Sequence, residues 1–178
     1  MNNQIIIVCD EQGNPTGEYI PKMEGVTGDG KKHLAVTVLL YNHQGQVLLQ
    51  KRKHQVFNGL WDMTASTDLS HFEDHDETFD QAAKRCLKRE FNINDVDLKI
   101  LGGFSYFAKD GSHCENEYDV ILVGEYNGAV KIHPDVGYEY KWISKQDFLK
   151  DIQANPQNYT PWAIEGVQVL KQKGFFND

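Results

Sequence analysis

Hydrophobic and polar positions fall into blocks that predict strands, one long amphipathic helix, more strands and two closing helices. Residues 4–9, QIIIVC, form an apolar block closed by the turn-rich residues 10–17, which predicts a first strand. Residues 18–32 hold Pro21 and several glycines and read as a loop. The runs 33–41 (HLAVTVLLY) and 46–51 (QVLLQK) are β-branched and leucine-rich around Asn42-His43-Gln44-Gly45, a hairpin signal. Gly59-Leu60-Trp61 ends a short apolar stretch and leads into a polar, acidic loop. The period then changes: Phe79, Ala83, Cys86 and Glu90 recur at three- and four-residue intervals and share one helix face. Residues 98–108 and 115–123 flank Lys109-Asp110-Gly111-Ser112 as a second hairpin, and 138–143 read as a further strand. Ser144 is placed to cap a short helix through Asp151, with Asp147 at its third position, and Pro161 to begin a last helix ending near Lys173. This order predicts an α+β fold, a mixed β-sheet between α-helices.

A chain of 178 residues is expected to form a single domain, residues 1–178, around one core. Its 40% hydrophobic and 25% charged content is ordinary for a globular protein. The net charge of −8, with no basic run beyond Lys51-Arg52-Lys53, argues against nucleic acid as a partner. It leaves room for an anionic small molecule, which needs only a local cluster of Lys and Arg. The N-terminal apolar run is five residues long without a basic leader, and no run approaches a membrane span, so neither a signal peptide nor a membrane partner is expected. Cys9, Cys86 and Cys114 lack metal-type spacing and read as free thiols of a cytoplasmic protein.

Three features carry chemistry on their own terms. Glu115 and Glu117 lie two apart on a strand and share a face with Asp119 and His113. Such carboxylates repel one another unless the face is wet or a cation sits there. Glu90 lies on the buried stripe of the long helix, where an ionised carboxylate needs a metal, an Arg or a Lys. His33 opens a strand, where a histidine is either structural or a ligand.

From Glu77 onward the pattern E-x7-R-x4-E-x-x-I is met by Glu77, Arg85, Glu90 and Ile93. It resembles a reduced Nudix box, G-x5-E-x7-R-E-U-x-E-E-x-G-U, in which U is a bulky aliphatic residue. The box's first Gly falls on His71, two of its Glu positions on Cys86 and Arg89, and its last Gly on Asn92. The wider resemblance, over residues 4–170, is to the type I isopentenyl-diphosphate isomerases, a branch that lacks the same two box glutamates. It implies a Nudix fold, a divalent metal (Mg²⁺, with Mn²⁺ or Zn²⁺ as alternatives), and a small diphosphate substrate. The implied reaction is isomerisation of isopentenyl to dimethylallyl diphosphate; the alternatives are a Nudix hydrolase of a nucleoside or other diphosphate and a non-catalytic diphosphate binder.

The resemblance also implies roles. Glu115 and Glu117, in Glu115-Asn116-Glu117, match metal ligands, and Glu117 also the acid facing the substrate. His33 matches a histidine ligand, while a second falls on Val26. A third belongs after Trp61, where this chain is about four residues longer; Asp68, His71 or His75 fits it, depending on where the extra residues are placed. Glu90 matches a glutamate that holds Mg²⁺ against the diphosphate. Tyr106 matches a tyrosine bonded to the acid, Trp162 an indole over the carbocation-like substrate, and Lys22 and Arg52 diphosphate-binding cations. The family's third cation, an Arg on the helix, is replaced by Cys86, and its catalytic cysteine by Ser66, a much weaker acid.

Overall fold

The computed structural model describes residues 4–177. Nine strands, β1 (Ile5–Cys9), β2 (Pro15–Pro21), β3 (His33–Tyr41), β4 (Gln46–Arg52), β5 (Trp61–Asp62), β6 (Ala65–Asp68), β7 (Lys99–Asp110), β8 (His113–Glu125) and β9 (Gly137–Ser144), form a mixed sheet. Four helices accompany it: α1 (Lys22–Gly25), α2 (Phe79–Phe91), α3 (Lys145–Ala154) and α4 (Pro161–Gln172).

β3 is the hub. It runs parallel to β8 from His33 opposite Glu117 to Tyr41 opposite Glu125, and antiparallel to β6 from Ala35 opposite Asp68 to Val38 opposite Ala65. Alternate side chains leave a strand on opposite faces. Val36, Val38 and Leu40 therefore pack with Ala83, Cys86 and Leu87 of α2, while Leu39 joins Ile121, Ala163, Val167 and Leu170 on the α4 side, with Phe148 and Ile152 from α3. The sheet lies between α2 on one face and α3 with α4 on the other, the expected α+β arrangement.

The long helix begins and ends as its sequence demands. Thr78 accepts from the Gln81 N–H while the Gln81 side chain accepts from the Thr78 N–H, a complete capping box. At the other end Asn92 takes the left-handed conformation, φ 56°, that a C-terminal Gly usually supplies. The β7–β8 hairpin forms as expected, its ladder closing at Asp110 opposite His113 around Gly111, φ 63°. Ser144 caps α3 by accepting from the Asp147 N–H at 3.0 Å.

Three expectations change. Residues 18–32 are not all loop: β2 pairs with β1, Ile20 opposite Ile6, and α1 is a single helical turn. The expected β3–β4 hairpin is splayed, pairing only at Tyr41 and Val47. Thr64 wedges between the strands, its hydroxyl accepting from the Leu40 N–H at 2.9 Å and donating to the Leu48 carbonyl at 2.7 Å. β4 finds its partner in β9 instead. The stretch after Trp61 is not all loop either, since Ala65–Asp68 is a sheet strand. Among the described residues no helix is long and apolar enough to cross a membrane.

Candidate active site

The strand register assembles a polar floor. Residues two apart face the same way, so His33, Ala35 and Thr37 of β3, Ser66 and Asp68 of β6, and Glu115, Glu117 and Asp119 of β8 share one side of the sheet. Tyr106 of β7 stands opposite Glu117 on the far side of β8. All of these but Thr37 and His33 line a cleft of about 1250 Å³, which Lys22, Arg52, Arg89, Glu90 and Trp162 also border.

His33, Asp68, Glu115 and Glu117 bring one donor atom each to within 4.8 Å of one another. The His33 ring is fully buried, and its Nδ1–H donates to the Lys31 carbonyl at 2.7 Å. That fixes the tautomer in which Nε2 faces the carboxylates, 3.5 Å from both Asp68 Oδ1 and Glu117 Oε1. Nε2 has no hydrogen-bond partner among the described residues. An orphaned buried imidazole nitrogen aimed at three carboxylates fits a divalent cation, and the oxygen-rich set suits Mg²⁺ or Mn²⁺ while admitting Zn²⁺.

The electrostatics follow from crowding. Burial disfavours charge on His33, yet its contacts with Asp68 and Glu117 outweigh this and hold it well above the usual imidazole range. Burial pushes Glu115 up, and the neighbouring Glu117 and Asp68 push it further, well above the carboxylate range. Asp119 is raised well above that range by burial first and Glu117 second. Asp68 goes the other way: burial opposes its charge, but Lys22, which forms an ion pair with it, and His33 hold it well below. Like-charged donors crowded in this way are what a divalent cation would neutralise.

Glu117 is clamped from its other side by the Tyr106 hydroxyl, which donates to Oε2. Burial, then the nearby carboxylates, keep that phenol protonated by raising it well above its usual range. Trp162 opens the α4 core, held by Nε1–H donating to Asp62 Oδ1 at 2.8 Å. The Arg52 guanidinium sits 4.7 Å from the centre of the Trp162 ring, a cation–π contact, and pairs with Asp62 Oδ2 at 3.1 Å. The Ser66 hydroxyl bonds Asp62 at 3.3 Å and lies 3.5 Å from Arg52. Sequence reasoning missed Asp62 entirely; it is fully buried and fixes Arg52, Ser66, Thr160 and Trp162 together. No local pattern marks it, because its partners come from as far away as α4.

Three expected ligands behave differently. His71 is not in the cluster: its Nδ1 pairs with Asp76 at 2.7 Å and its ring stacks on Tyr19 at 3.7 Å. The physical reason is the end of β6 at Asp68, beyond which the extra residues close on themselves through the His71–Asp76 bridge. His75 is likewise tied to Asp74 and stacked on Phe72, so Asp68 alone joins the donors from this loop. Glu90 borders the cleft but lies outside the four-donor group, its carboxylate paired with Arg89 and accepting from Gln50 Nε2 at 2.7 Å. Burial raises it, with Arg89 working against the rise. Arg89, one turn beyond Cys86 on α2, is a cation at the cleft that the motif did not signal.

Comparison with known proteins gives the same direction. The chain is 30% identical over 165 residues to "Isopentenyl-diphosphate Delta-isomerase 2" of Aromatoleum aromaticum, a match covering 91% of this chain and 83% of that protein. It is 28% identical over 168 residues to "Isopentenyl-diphosphate Delta-isomerase" of Escherichia coli, covering 92% and 90% of the two chains. The fold matches the crystal structure of DR0079 from Deinococcus radiodurans with a TM-score of 0.72 at 15% identity, covering 93% of this chain and 98% of that one. The model of the NUDIX domain matches residues 31–163, from the segment before β3 into α4. On a family match that spans most of the chain, this protein belongs to the NUDIX family.

Proposed function

We propose that this protein is a metal-dependent NUDIX enzyme that isomerises isopentenyl diphosphate to dimethylallyl diphosphate. The observation that carries the reading is the placement of Glu117, bonded to Tyr106 and beside His33, on a cleft floor that Trp162 borders. The reaction moves a double bond: one proton joins the terminal alkene carbon, another leaves the carbon on the far side, and no redox partner is needed. Glu117 is the acid for the first transfer, and the Tyr106 hydroxyl orients its carboxyl. The indole face of Trp162 is suited to the positive charge that builds on the chain between the two transfers. Lys22 and Arg52 hold the diphosphate, with Ser66 in the position of the second proton-handling group.

His33, Asp68, Glu115 and Glu117 would hold the divalent cation, which supplies positive charge that lets the crowded carboxylates ionise and orients Glu117. Glu90 would hold a Mg²⁺, which would supply positive charge for the diphosphate. Hydrolysis is the weaker reading, because α2 carries Cys86 and Arg89 where a hydrolase gathers ions with carboxylates. Three buried free thiols support a reducing compartment, the cytoplasm. The test is incubation with isopentenyl diphosphate and, separately, a nucleotide panel, each with Mg²⁺ or Mn²⁺. Formation of the dimethylallyl isomer is expected; metal-dependent phosphate release without it would replace the isomerase by the hydrolase.

A further inference from the structure

Ser66 lines the cleft half-buried, and its hydroxyl donates to Asp62 Oδ2 at 3.3 Å. Asp62 is fully buried and does not line the cleft, so the Ser66 proton points away from any bound ligand. Arg52 Nη1 donates to the same Oδ2 at 3.1 Å and reaches Ser66 Oγ at 3.5 Å. With its proton on Asp62 and one lone pair toward Arg52, Ser66 Oγ keeps a second lone pair for the cleft. The other Asp62 oxygen is taken up by three donors. Oδ1 accepts from the Met63 N–H at 2.8 Å, the Trp162 Nε1–H at 2.8 Å and the Thr160 hydroxyl at 3.2 Å. The oxygen with room for a proton is therefore Oδ2, which faces Ser66. Burial raises the proton affinity of this carboxyl, with Arg52 working against the rise.

The second transfer of the isomerisation removes a proton from a carbon beside a cationic centre. Such a C–H is strongly acidic, so the step needs a path for the proton more than a strong base. We infer that Asp62 is the terminal acceptor of this proton, reached through the Ser66 hydroxyl. The C–H electron pair becomes the new double bond, the proton bonds Ser66 Oγ, and the hydroxyl's own proton passes to Asp62 Oδ2. Ser66 stays neutral throughout, and Asp62 becomes a carboxylic acid that donates back to Ser66. Each turnover leaves Glu117 one proton short and Asp62 one proton richer, and exchange with water after product release restores both. A hydroxyl can thus stand at this position without ever becoming an alkoxide. The inference rests on the isomerase reading and adds to it where the proton goes.

Steady-state kinetics on isopentenyl diphosphate with Mg²⁺ or Mn²⁺ test it, on the wild type, Asp62→Asn, Ser66→Ala and the double variant. Asp62→Asn keeps an oxygen for Trp162 and Thr160 while removing the proton acceptor. Each single variant should lose about tenfold or more in kcat with KM within about threefold. The double variant should be no slower than the slower single one within about threefold, because both changes cut the same path. If Asp62 served only to hold Arg52 and Trp162, its loss would raise KM and would multiply with that of Ser66→Ala; either result overturns the inference. A kcat near the wild-type value in Ser66→Ala also overturns it, and decides even if Asp62→Asn does not fold. In that event, a fall of about tenfold or more in kcat at unchanged KM, largely restored in Ser66→Thr, supports the relay. If the wild type forms no dimethylallyl product, the isomerase reading itself falls, and this inference with it.

Discussion

The cluster of His33, Asp68, Glu115 and Glu117 makes a quantitative claim about stability. Three carboxylates and the His33 imidazole lie within 4.8 Å of one another, and among the described residues their crowding is offset by Lys22, by the Tyr106 hydroxyl and by the raised proton affinity of Glu115 and His33. A cation that binds the folded state stabilises it by RT ln(1 + [L]/Kd), about 2.7 kcal/mol at a hundredfold excess over Kd. For a domain of this size that is a rise of roughly 5–10 °C in Tm. Glu115→Gln keeps the shape and removes one charged donor. If affinity falls about 100-fold, the same cation concentration adds only about 0.4 kcal/mol, a rise of ~1–2 °C. The sign of the pH dependence is set by Glu115 and His33, both raised in the fold. The stability that their protons contribute is present below their ordinary values, about 4.5 and 6.5, and is lost as pH rises through the folded values. The cation competes with those protons, so its increment should grow as pH rises from below the ordinary values through the folded ones. Thermal scans in EDTA and along a Mn²⁺ titration measure both effects. No rise with Mn²⁺, or a rise that Glu115→Gln leaves intact, refutes the cluster as a metal centre.

Three further predictions concern the cleft. Glu117→Gln should lower isomerisation by about 10²–10⁴-fold with an unchanged circular dichroism spectrum, and full activity in that variant would remove Glu117 as the acid. Ser66→Cys should raise isomerisation, because a thiol with an ordinary pKa of about 8.5 can be tuned toward neutrality and a serine hydroxyl cannot; assay of both proteins on isopentenyl diphosphate decides it. Asp62→Ala strands the Arg52 charge, whose side chain is 11% exposed, and should cost about 3–5 kcal/mol in urea unfolding. A loss under about 1 kcal/mol would mean that the pair contributes little.

Much of the fold was legible because its signals are local. The β7–β8 hairpin is a long run of strand formers around a glycine turn, and α2 declares itself by its period and its capping residues. Glu115 and Glu117 could be assigned to one face from parity alone, and the family pattern added His33 and Tyr106. What stayed hidden depends on contacts distant in sequence. β6 is four residues, Ala-Ser-Thr-Asp, with too little hydrophobic contrast to mark a strand, and it exists because β3 offers it an edge. Without that register the choice among Asp68, His71 and His75 was open. The splayed β3–β4 pair was equally invisible, since the Thr64 hydroxyl that parts the strands lies well downstream of both.

The short strand β6 also decides how this cleft can change over time. Its four residues are pinned by neighbours on β3, so exchanging a side chain at Ser66 or Asp68 alters the chemistry while the backbone stays in place. Extra residues after Asp68 are absorbed by a loop that closes through His71 and Asp76. One residue added between Ala65 and Asp68 would be another matter. If it slid the strand by one position, Ser66 and Asp68 would turn toward α2 and Thr67 would take the cleft face in their place, so the Asp68 donor would be lost. The protein can thus be re-equipped position by position, and lengthened beyond the strand, but not lengthened within it.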